Sequence, residues 1–274
     1  MKVLAFDVGG TTIKGGLVNE KLKIEEIHDR FSDETHKVSF GMPGFVDNEN
    51  HIFKYGTNMK FSIDFKKLGF AKEKKIYLEN DGNLAAYSEY LSHFKNDYKN
   101  LIMLTFGTGV GGGIIYNSEI FKGSGNAGEI GRILINEKSY LEDVISAKAW
   151  TKKCQDLYEI NKETKLSNIF YEEKVGSLLF DRSIDLEDYE KYARDEIIQN
   201  TSNALISLFE LFDNDIFVIG GSMTKSPYDF VPLLDEYIST NFEFPNRNFP
   251  KIKLSKARED SGMLGAALLA LNSE

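Results

Sequence analysis

Two segments of the chain repeat one pattern, in which a glycine- and threonine-rich turn joins two apolar runs. The first reads VLAFDVGGTTIKGGLV from Val3, and the second reads LIMLTFGTGVGGGIIY from Leu101. Apolar runs of this length beside glycine-rich turns are typical of strands joined by tight turns. A further short strand is expected after each, at residues 22–27 and 120–121. The repetition predicts a duplicated α/β fold, with one strand–turn–strand unit opening each of two lobes and a central cleft between them.

The remaining sequence supplies helices around these units. Helical spacing of apolar residues predicts a helix-rich stretch from about residue 142 to 212, and IFVIGG from Ile216 reads as a short strand that ends at two glycines. The last segment, GMLGAALLALN, predicts a helix capped by Asp260 and Ser261, whose small residues allow close packing. We therefore expect residues 1–98 and 262–274 in a smaller lobe, and residues 99–261 in a larger one.

The glycine-rich turns are candidate phosphate sites. Glycine lets the backbone approach an anion closely, so that N–H groups and threonine hydroxyls can hold it. Asp7, beside the first turn, would help to hold Mg²⁺, which prefers carboxylate, phosphate and water oxygens. Taken alone, DVGGTT also fits an ordinary hairpin turn. The second turn has the spacing of a dinucleotide fingerprint, but a strand follows it instead of a helix, and no Walker-type loop is present, so both of those classes are excluded.

The segment IYLENDGNLAAY, from Ile76, predicts a strand followed directly by a helix. An Asp at the start of a helix commonly caps the first turn by accepting a hydrogen bond from a free N–H group, which is one interpretation of Asp81. The other is a carboxylate held where a strand ends, the place at which open α/β folds bind small molecules, and able there to act as a general base. The two roles are compatible with each other.

Composition narrows the range of partners. The 274 residues carry a formal net charge of −9, with a pI near 5.2, which argues against nucleic acid binding because that needs a clustered basic face. Cys154 is the only cysteine, so an intramolecular disulfide is excluded and a cysteine-based zinc site is not expected. The N-terminus lacks the pattern of a signal peptide, and no apolar window has the length of a membrane span. We expect a cytoplasmic protein with no nucleic acid or membrane partner.

Seven motifs occur in an order that resembles the ROK family of bacterial sugar kinases, within the actin-like ATPase superfamily. Along the chain they are DVGGTTIKGGLVN, GMPGFV, LENDGNLAAYSE, TFGTGVGGGIIYN, GNAGEIG, VIGGS and SGMLGAALLAL. The resemblance runs through most of the chain and implies a two-lobed, actin-like (ribonuclease H-like) ATPase fold. It also implies an ATP- and Mg²⁺-dependent kinase acting on the 6-hydroxyl of a hexose or N-acetylhexosamine, and a homodimer.

The resemblance also assigns roles to individual residues. Asp81 falls on the catalytic base, which in phosphoryl transfer need only orient the hydroxyl and accept its proton late. The implied sugar-binding residues are Gly44, Asn58, Asn80, Asp81, Glu129, Arg132 and Glu142. The implied ATP-binding residues are Asp7, Gly9, Gly10, Thr11, Thr12, Lys14, Thr105, Gly107, Thr108, Gly109, Gly220 and Gly221. Among these, Asp7 is expected to hold Mg²⁺ through water, and the last two glycines match the turn beneath the adenosine.

The zinc loop of the family is where the sequence departs most. Family members continue GEIGH into a cysteine-rich zinc loop, whereas this chain reads GEIGRILINEKSYLEDVIS, so structural zinc is predicted absent. Arg132 replaces the His, and Tyr140 stands where a Cys would. Arg132 could pin the loop by pairing with Glu129 or Glu142, or could contact the sugar directly. Either alternative changes the side of the pocket that reads the first two sugar carbons, which slightly favours N-acetylmannosamine over glucose.

Two further departures concern length. The connection between residues 26 and 38 is shorter than the family's helix-containing one, so either this chain lacks that helix or the sequence omits a segment. Six residues precede Asp7, which is too few for the DNA-binding domain of the family's repressors. The alternative function is a non-catalytic, sugar-binding regulatory protein. Such a protein could lose Asp81 without cost to binding, whereas a kinase could not, and Asp81 is present.

Overall fold

The computed structural model describes residues 1–9, 13–25, 35–56, 59–69, 73–160, 179–181, 183–186, 188–221, 230–256 and 260–273. The predicted site residues Gly10, Thr11, Thr12 and Asn58 lie outside the described residues. By internal contacts the chain divides into two compact units, the first formed by Met1–Lys99, Gly113–Gly128 and Lys256–Glu274 and the second by Asn100–Gly112 and Glu129–Ser255. Gly113–Gly128, which the sequence assigned to the larger lobe, belongs by these contacts to the first unit.

A five-stranded sheet forms the centre of the first unit. Its strands, in the order β3-β2-β1-β4-β8, are β1 (Lys2–Val8), β2 (Ile13–Asn19), β3 (Ile24–Glu25), β4 (Lys37–Met42) and β8 (Lys75–Asn80). β1 pairs antiparallel with β2 and parallel with β4, which in turn pairs parallel with β8. The carboxyl ends of the three parallel strands therefore lie side by side, and they carry Asp7, Gly41 and Asn80 to one edge of the sheet.

Two helices pack together on this sheet. The first, α1 (Asp81–Glu89), continues into a π-helical turn (Tyr90–Phe94), and the second is the C-terminal helix α6 (Ser261–Asn272). Their shared core contains Ala5, Val18, Leu84, Met263, Ala266 and Ala267. A Cβ on Gly265 would overlap the backbone carbonyl of Leu84. The prediction that the small residues of the last helix allow close packing is confirmed.

A small antiparallel sheet extends the first unit. It consists of β5 (Phe45–Asp47), β6 (Ile52–Tyr55) and β7 (Ile63–Asp64), and a 3-10 helix (Phe65–Lys67) follows. Val46 and Phe53 of this sheet and Phe65 of the 3-10 helix are buried in one cluster with Val8 and Met42 of the larger sheet. This packing fixes the turn that contains Gly44, between β4 and β5.

The second five-stranded sheet repeats the topology of the first. Its order is β11-β10-β9-β12-β13, from β9 (Leu101–Phe106), β10 (Val110–Tyr116), β11 (Glu119–Ile120), β12 (Ile216–Gly220) and β13 (Lys251–Leu254). Parallel pairing joins β9 to β12 and β12 to β13, as it joins β1 to β4 and β4 to β8. Each sheet begins with a strand–turn–strand hairpin and ends with two parallel strands, so the predicted duplication is confirmed.

The second unit surrounds its strands with helices. They are a 3-10 turn (Ile130–Arg132), α2 (Glu142–Ile145), α3 (Ala147–Ile160), α4 (Asp188–Phe212) and α5 (Phe230–Asn241). The core centres on Trp150 of α3, which is fully buried and contacts the rings of Phe106, Phe180 and Phe230. None of the helices within the described residues is both long and apolar enough to cross a membrane.

The second glycine-rich turn is shorter than the sequence suggested. β10 begins at Val110, so only residues 107–109 form the turn and the following glycines belong to the strand. A Cβ on Gly113 would lie 2.6 Å from the Cβ of Ala86 in α1. The glycine run thus allows the strand to approach this helix closely, a tertiary requirement that the local sequence does not reveal.

Candidate active site

The junction between β8 and α1 brings together three of the predicted sugar-site residues. Asn80 is the N-cap of α1, because its side-chain oxygen accepts a hydrogen bond from the N–H of Asn83 at 3.1 Å. Its amide nitrogen donates to the carbonyl oxygen of Gly44, also at 3.1 Å. Asp81 is the first helical residue and accepts from the N–H of Gly82 at 2.9 Å. The interpretation of Asp81 as the cap is therefore wrong, since Asn80 has that role.

The turn at Gly44 depends on having no side chain. Gly44 has a φ of 143°, and a Cβ there would lie 2.6 Å from the Cα of Gly56. Few residues other than glycine adopt such a backbone, and here the space is also filled. The carbonyl of Gly44 is thereby held where Asn80 reaches it, which ties this turn to the start of α1.

Asp7 is the last residue but one of β1, beside the first glycine-rich turn. Its register partners are Lys14 on β2 and Gly41 on β4. Burial raises the pKa of Asp7 above its ordinary value, and the charge of Lys14 opposes that increase. A Cβ on Gly262 would lie 2.5 Å from Oδ2 of Asp7, so this carboxylate is set against the first turn of α6. Gly9 follows β1 directly.

In the second unit, the turn between β9 and β10 presents a tight backbone loop. The N–H of Gly107 donates to the carbonyl of Gly109 at 3.0 Å, and the carbonyl of Gly107 accepts from the N–H of Ala147 at 2.9 Å. Thr108 is exposed at the tip. Among the described residues, no heavy atom lies within 4 Å of the position that a Cβ on Gly107 would occupy. The loop therefore has open space beside it, and its Gly107 N–H is already engaged.

Thr105 and the glycines of β12 lie next to this turn. Gly220 is the register partner of Thr105 across β12 and β9. Gly221 has a φ of 99°, and a Cβ there would overlap the carbonyl of Phe106. A Cβ on Gly111 would lie 2.6 Å from the hydroxyl of Thr105. The predicted nucleotide residues of the second unit, from Thr105 to Gly109 with Gly220 and Gly221, are thus close together.

Arg132 is held by two neighbours in its own loop. Its Nη1 pairs with Oε1 of Glu142 at 3.4 Å, and its guanidinium lies 3.8 Å from the centre of the Tyr140 ring. Tyr140 also forms a β-bridge with Leu134. These contacts agree with the first of the two alternatives for Arg132, in which it pins the loop by pairing with a glutamate.

Glu129 experiences an unfavourable environment for its charge. Burial is the main cause that raises its pKa above the ordinary value, and the charge of Glu142 raises it further, while Arg132 lowers it. Glu142 is near the glycine turn as well, because a Cβ on Gly109 would lie 2.9 Å from its Oε2. The second unit therefore brings Glu129, Arg132 and Glu142 together beside the turn.

Sequence reasoning missed Glu79, the residue before Asn80 in LENDGN. The residue is 1% exposed, yet it accepts hydrogen bonds from three residues and pairs with Lys122. A glutamate that interrupts an apolar strand is the only local signal of this role. Its partners at residues 48 and 122 are remote in sequence, so the pattern could not indicate them.

Each unit, taken by itself, contains a feature that suits one part of an ATP–Mg²⁺ ligand. Asp7 offers one carboxylate at the end of a strand, which suits Mg²⁺ because that ion takes few protein ligands and keeps water and phosphate oxygens. The open space beside Gly107 leaves room for a phosphate to approach the backbone. Within the part of the chain that the structure describes, no group of three or more His, Cys, Asp or Glu side chains is arranged to hold a metal ion.

Comparison with known proteins identifies relatives over nearly the whole chain. The family model described as ROK family matches residues 25–273. Glucokinase from Thermotoga maritima is 25% identical over 312 residues, covering 97% of this chain and 96% of the relative. The N-acetyl-D-glucosamine kinase of Mannheimia succiniciproducens is 25% identical, with 97% and 98% covered, and the N-acetylmannosamine kinase of Haemophilus influenzae is 24% identical, with 97% and 94% covered. The first alignment is longer than the 274 residues of this chain, so this chain has deletions relative to that glucokinase.

Solved structures share the fold. A ROK family glucokinase from Streptomyces griseus, in complex with glucose and AMPPNP, has a TM-score of 0.79 at 19% identity, with 100% of both chains covered. A ROK family transcriptional regulator, a homologue of the E. coli MLC protein, has a TM-score of 0.80 at 17% identity, covering 98% of this chain and 78% of the regulator. At these identities the likeness establishes the two-lobed, actin-like fold of these proteins and does not distinguish a kinase from a regulator.

Proposed function

This chain belongs to the ROK family, and we propose that it is an ATP-dependent sugar kinase that phosphorylates the 6-hydroxyl of a hexose or N-acetylhexosamine. The observation that carries the proposal is the junction of β8 and α1. There Asn80 caps the helix, so Asp81 is not required for capping. A carboxylate at this position, beside Asn80 and the Gly44 turn, is arranged to serve a sugar hydroxyl.

In this proposal the residues of the first unit act on the sugar. Asp81 orients the 6-hydroxyl and accepts its proton late in a loose transition state. Asn80, Gly44 and Asn58 hold the other hydroxyls. Positioning supplies most of the acceleration in such a reaction, because little covalent chemistry is needed from the protein. The hydrogen bond from Asn80 to Gly44 supports this, since it fixes two of these groups relative to each other.

Nucleotide binding is proposed for the glycine-rich turns of both units. Gly9, Gly10, Thr11, Thr12 and Lys14 in one unit, and Thr105, Gly107, Thr108 and Gly109 in the other, would bind phosphate oxygens, with Gly220 and Gly221 beneath the adenosine. Because the N–H of Gly107 is engaged within its turn, the later N–H groups and the Thr108 hydroxyl are the expected donors. Asp7 would hold Mg²⁺ through water. When bound with ATP, Mg²⁺ neutralises charge on the phosphates.

The loop around Arg132 bears on the choice of sugar. Arg132 contacts Glu142 and Tyr140, so we propose that it orients Glu142. Glu129 and Glu142 would then accept hydrogen bonds from sugar hydroxyls. Relatives of nearly equal identity act, by their names, on glucose, N-acetylglucosamine and N-acetylmannosamine. The altered loop favours an N-acetylhexosamine, with N-acetylmannosamine slightly ahead of glucose. We also propose a homodimer in the cytoplasm.

The proposal is tested by ADP release in a coupled assay with ATP and Mg²⁺ over glucose, N-acetylglucosamine and N-acetylmannosamine. We expect turnover of at least one sugar, and a kcat/KM ratio that favours N-acetylmannosamine. The matched control is Asp81→Asn, which should lower kcat by at least ~10²-fold with little change in sugar affinity, because a general base supplies that much. Glucose preferred by about tenfold or more, on the scale of discrimination between similar substrates, would reject the sugar choice and keep the kinase.

The alternative function is a non-catalytic, sugar-binding regulator. The fold is compatible with this alternative, because a ROK family transcriptional regulator shares it. Calorimetry separates the two. Sugar binding detected by calorimetry, without turnover of any sugar in the coupled assay, would favour the regulator and reject the kinase.

A further inference from the structure

Glu79 is the most enclosed carboxylate near the proposed sugar site. It is the last residue but one of β8 and is 1% exposed. A buried carboxylate is tolerated when several donors surround it, because its lone pairs must be satisfied inside the protein. Glu79 meets this condition, since four donors from three separate parts of the first unit surround it.

The two oxygens of Glu79 have different partners. Oε1 accepts from the backbone N–H of Asn80 at 2.9 Å and from the side-chain amide of Asn83 at 3.1 Å. Oε2 accepts from the side-chain amide of Asn48 at 2.8 Å and pairs with Nζ of Lys122 at 3.2 Å. One oxygen therefore binds the start of α1, and the other binds the β5–β6 turn and the segment after β11.

Of these segments, the start of α1 carries Asn80 and Asp81, two of the groups that would contact the sugar. The Asn48 amide also donates to the carbonyl of Leu78 at 2.8 Å, which fixes the β5–β6 turn against β8. On the segment of Lys122, a Cβ on Gly125 would lie 3.1 Å from the ring of Phe45 in β5, next to Gly44. Glu79 thus accepts a hydrogen bond from the backbone N–H of Asn80, and it directly precedes Asn80 and Asp81 in the chain.

We propose that Glu79 is a positioning residue of the active site, which sets the orientation of Asn80 and Asp81 by joining the start of α1 to the β5–β6 turn and to Lys122. This inference rests on the proposed kinase function. Glu79 acts through its neighbours and touches no reacting atom. Its negative charge is required because four N–H donors converge on it, and a neutral amide in the same space would turn donors toward donors.

The test compares kcat and KM for sugar and for ATP in the wild type, in Glu79→Gln and in the double variant Glu79→Gln/Asn48→Asp. In the single variant the new amide nitrogen faces the amide of Asn48 and the ammonium of Lys122. We expect kcat to fall by about tenfold or more, because misplacement of reacting groups by ~1 Å can cost ~10²-fold. KM for ATP should stay within about twofold, since uniform binding of the nucleotide is not altered.

The double variant returns a carboxylate to the network from the other side. It can accept from the new amide and pair with Lys122, so kcat should recover by about threefold or more, the sign of a coupled pair. Recovery is partial because the donor to Leu78 is lost. Glu89→Gln is the matched control, since Glu89 is equally buried in α1 and accepts from the N–H of Lys256 at 2.8 Å. Its kcat should equal that of the wild type.

Thermal unfolding of each variant separates positioning from folding. A structural role alone would lower the unfolding midpoint of Glu79→Gln and leave kcat per folded molecule unchanged, which would overturn the inference. Wild-type kcat in Glu79→Gln, or an impaired single variant that Asn48→Asp does not improve, would also overturn it. A wild type that phosphorylates no sugar would reject the proposed function itself, and this inference with it.

Discussion

Substitution of Gly262 by alanine is expected to disable nucleotide use and leave the fold intact. Gly262 lies in the first turn of α6, and its missing side chain leaves room for the carboxylate of Asp7. A Cβ would lie 2.5 Å from Oδ2, 2.7 Å from Cγ and 2.9 Å from Oδ1 of Asp7. All three atoms belong to the end of a side chain that can rotate, so the clash can be relieved without moving the backbone.

The size of the displacement follows from these distances. Ordinary van der Waals contact with a Cβ begins at 3.4 Å, so Oδ2 must move from 2.5 Å to that distance, by about 0.9 Å. A shift of ~1 Å in a group that positions reactants can cost ~10²-fold in rate. Stability should change little, because alanine is better than glycine in a helix by up to ~1 kcal/mol, which offsets the rotation of Asp7.

The assay measures kcat and KM for ATP at several Mg²⁺ concentrations, together with the thermal midpoint. We expect kcat/KM for Mg²⁺·ATP to fall by about 10²-fold and the Mg²⁺ requirement to increase, with the midpoint unchanged. Gly69→Ala is the matched control, because no described heavy atom lies within 4 Å of its Cβ position. Gly265→Ala should behave in the opposite way and lose stability, since its Cβ overlaps the Leu84 backbone. Wild-type use of Mg²⁺·ATP by Gly262→Ala would refute the role of Asp7.

Three further predictions concern the second unit. Gly107→Ala should increase KM for ATP by roughly tenfold without changing the thermal midpoint, because its Cβ enters open space beside the turn; an unchanged KM would mean that no phosphate binds there. Glu129→Gln should stabilise the protein near pH ~8 and not near pH ~4. The raised folded-state pKa of Glu129 gives stability that is present below its unfolded pKa and is lost as pH increases through the folded-state pKa. Thermal midpoints of the variant and the wild type that differ equally at both pH values would contradict this. Extended chelation followed by Mg²⁺ alone should restore full activity, whereas stoichiometric tightly bound zinc in metal analysis would show that the zinc prediction is wrong.

Local patterns were enough to predict the two strand–turn–strand hairpin units. The apolar runs that open at Val3 and Leu101 correspond to β1, which starts at Lys2, and to β9, which starts at Leu101. The position of Asp81 at a strand-to-helix junction followed in the same way. The cap was assigned one residue too late, because Asn and Asp are equally good N-caps and helix ends are uncertain by one or two residues.

Tertiary contacts decided what the sequence could not. The glycines after Gly109 continue as a strand because β10 approaches α1, and neither element contains a local sign of the other. Asn48, which contacts Glu79, lies 31 residues before it in the sequence. Lys122, which pairs with Glu79, lies after β9 and β10 in the sequence. For Arg132 the sequence left two roles open, pinning the loop or contacting the sugar. The ion pair with Glu142 and the contact with the Tyr140 ring support pinning.

Five glycines of the motifs form two groups according to what occupies the space of the missing side chain. At Gly44 and Gly221 the backbone has a positive φ, and the nearest atoms are backbone, so alanine there must disturb the fold. At Gly109, Gly111 and Gly262 the nearest atom is instead a side-chain oxygen of Glu142, Thr105 or Asp7, at 2.9, 2.6 and 2.5 Å. Each of these oxygens belongs to a predicted site residue. The second group therefore gives functional oxygens room to occupy their positions, and alanine at its members should displace an oxygen and reduce activity before it reduces stability.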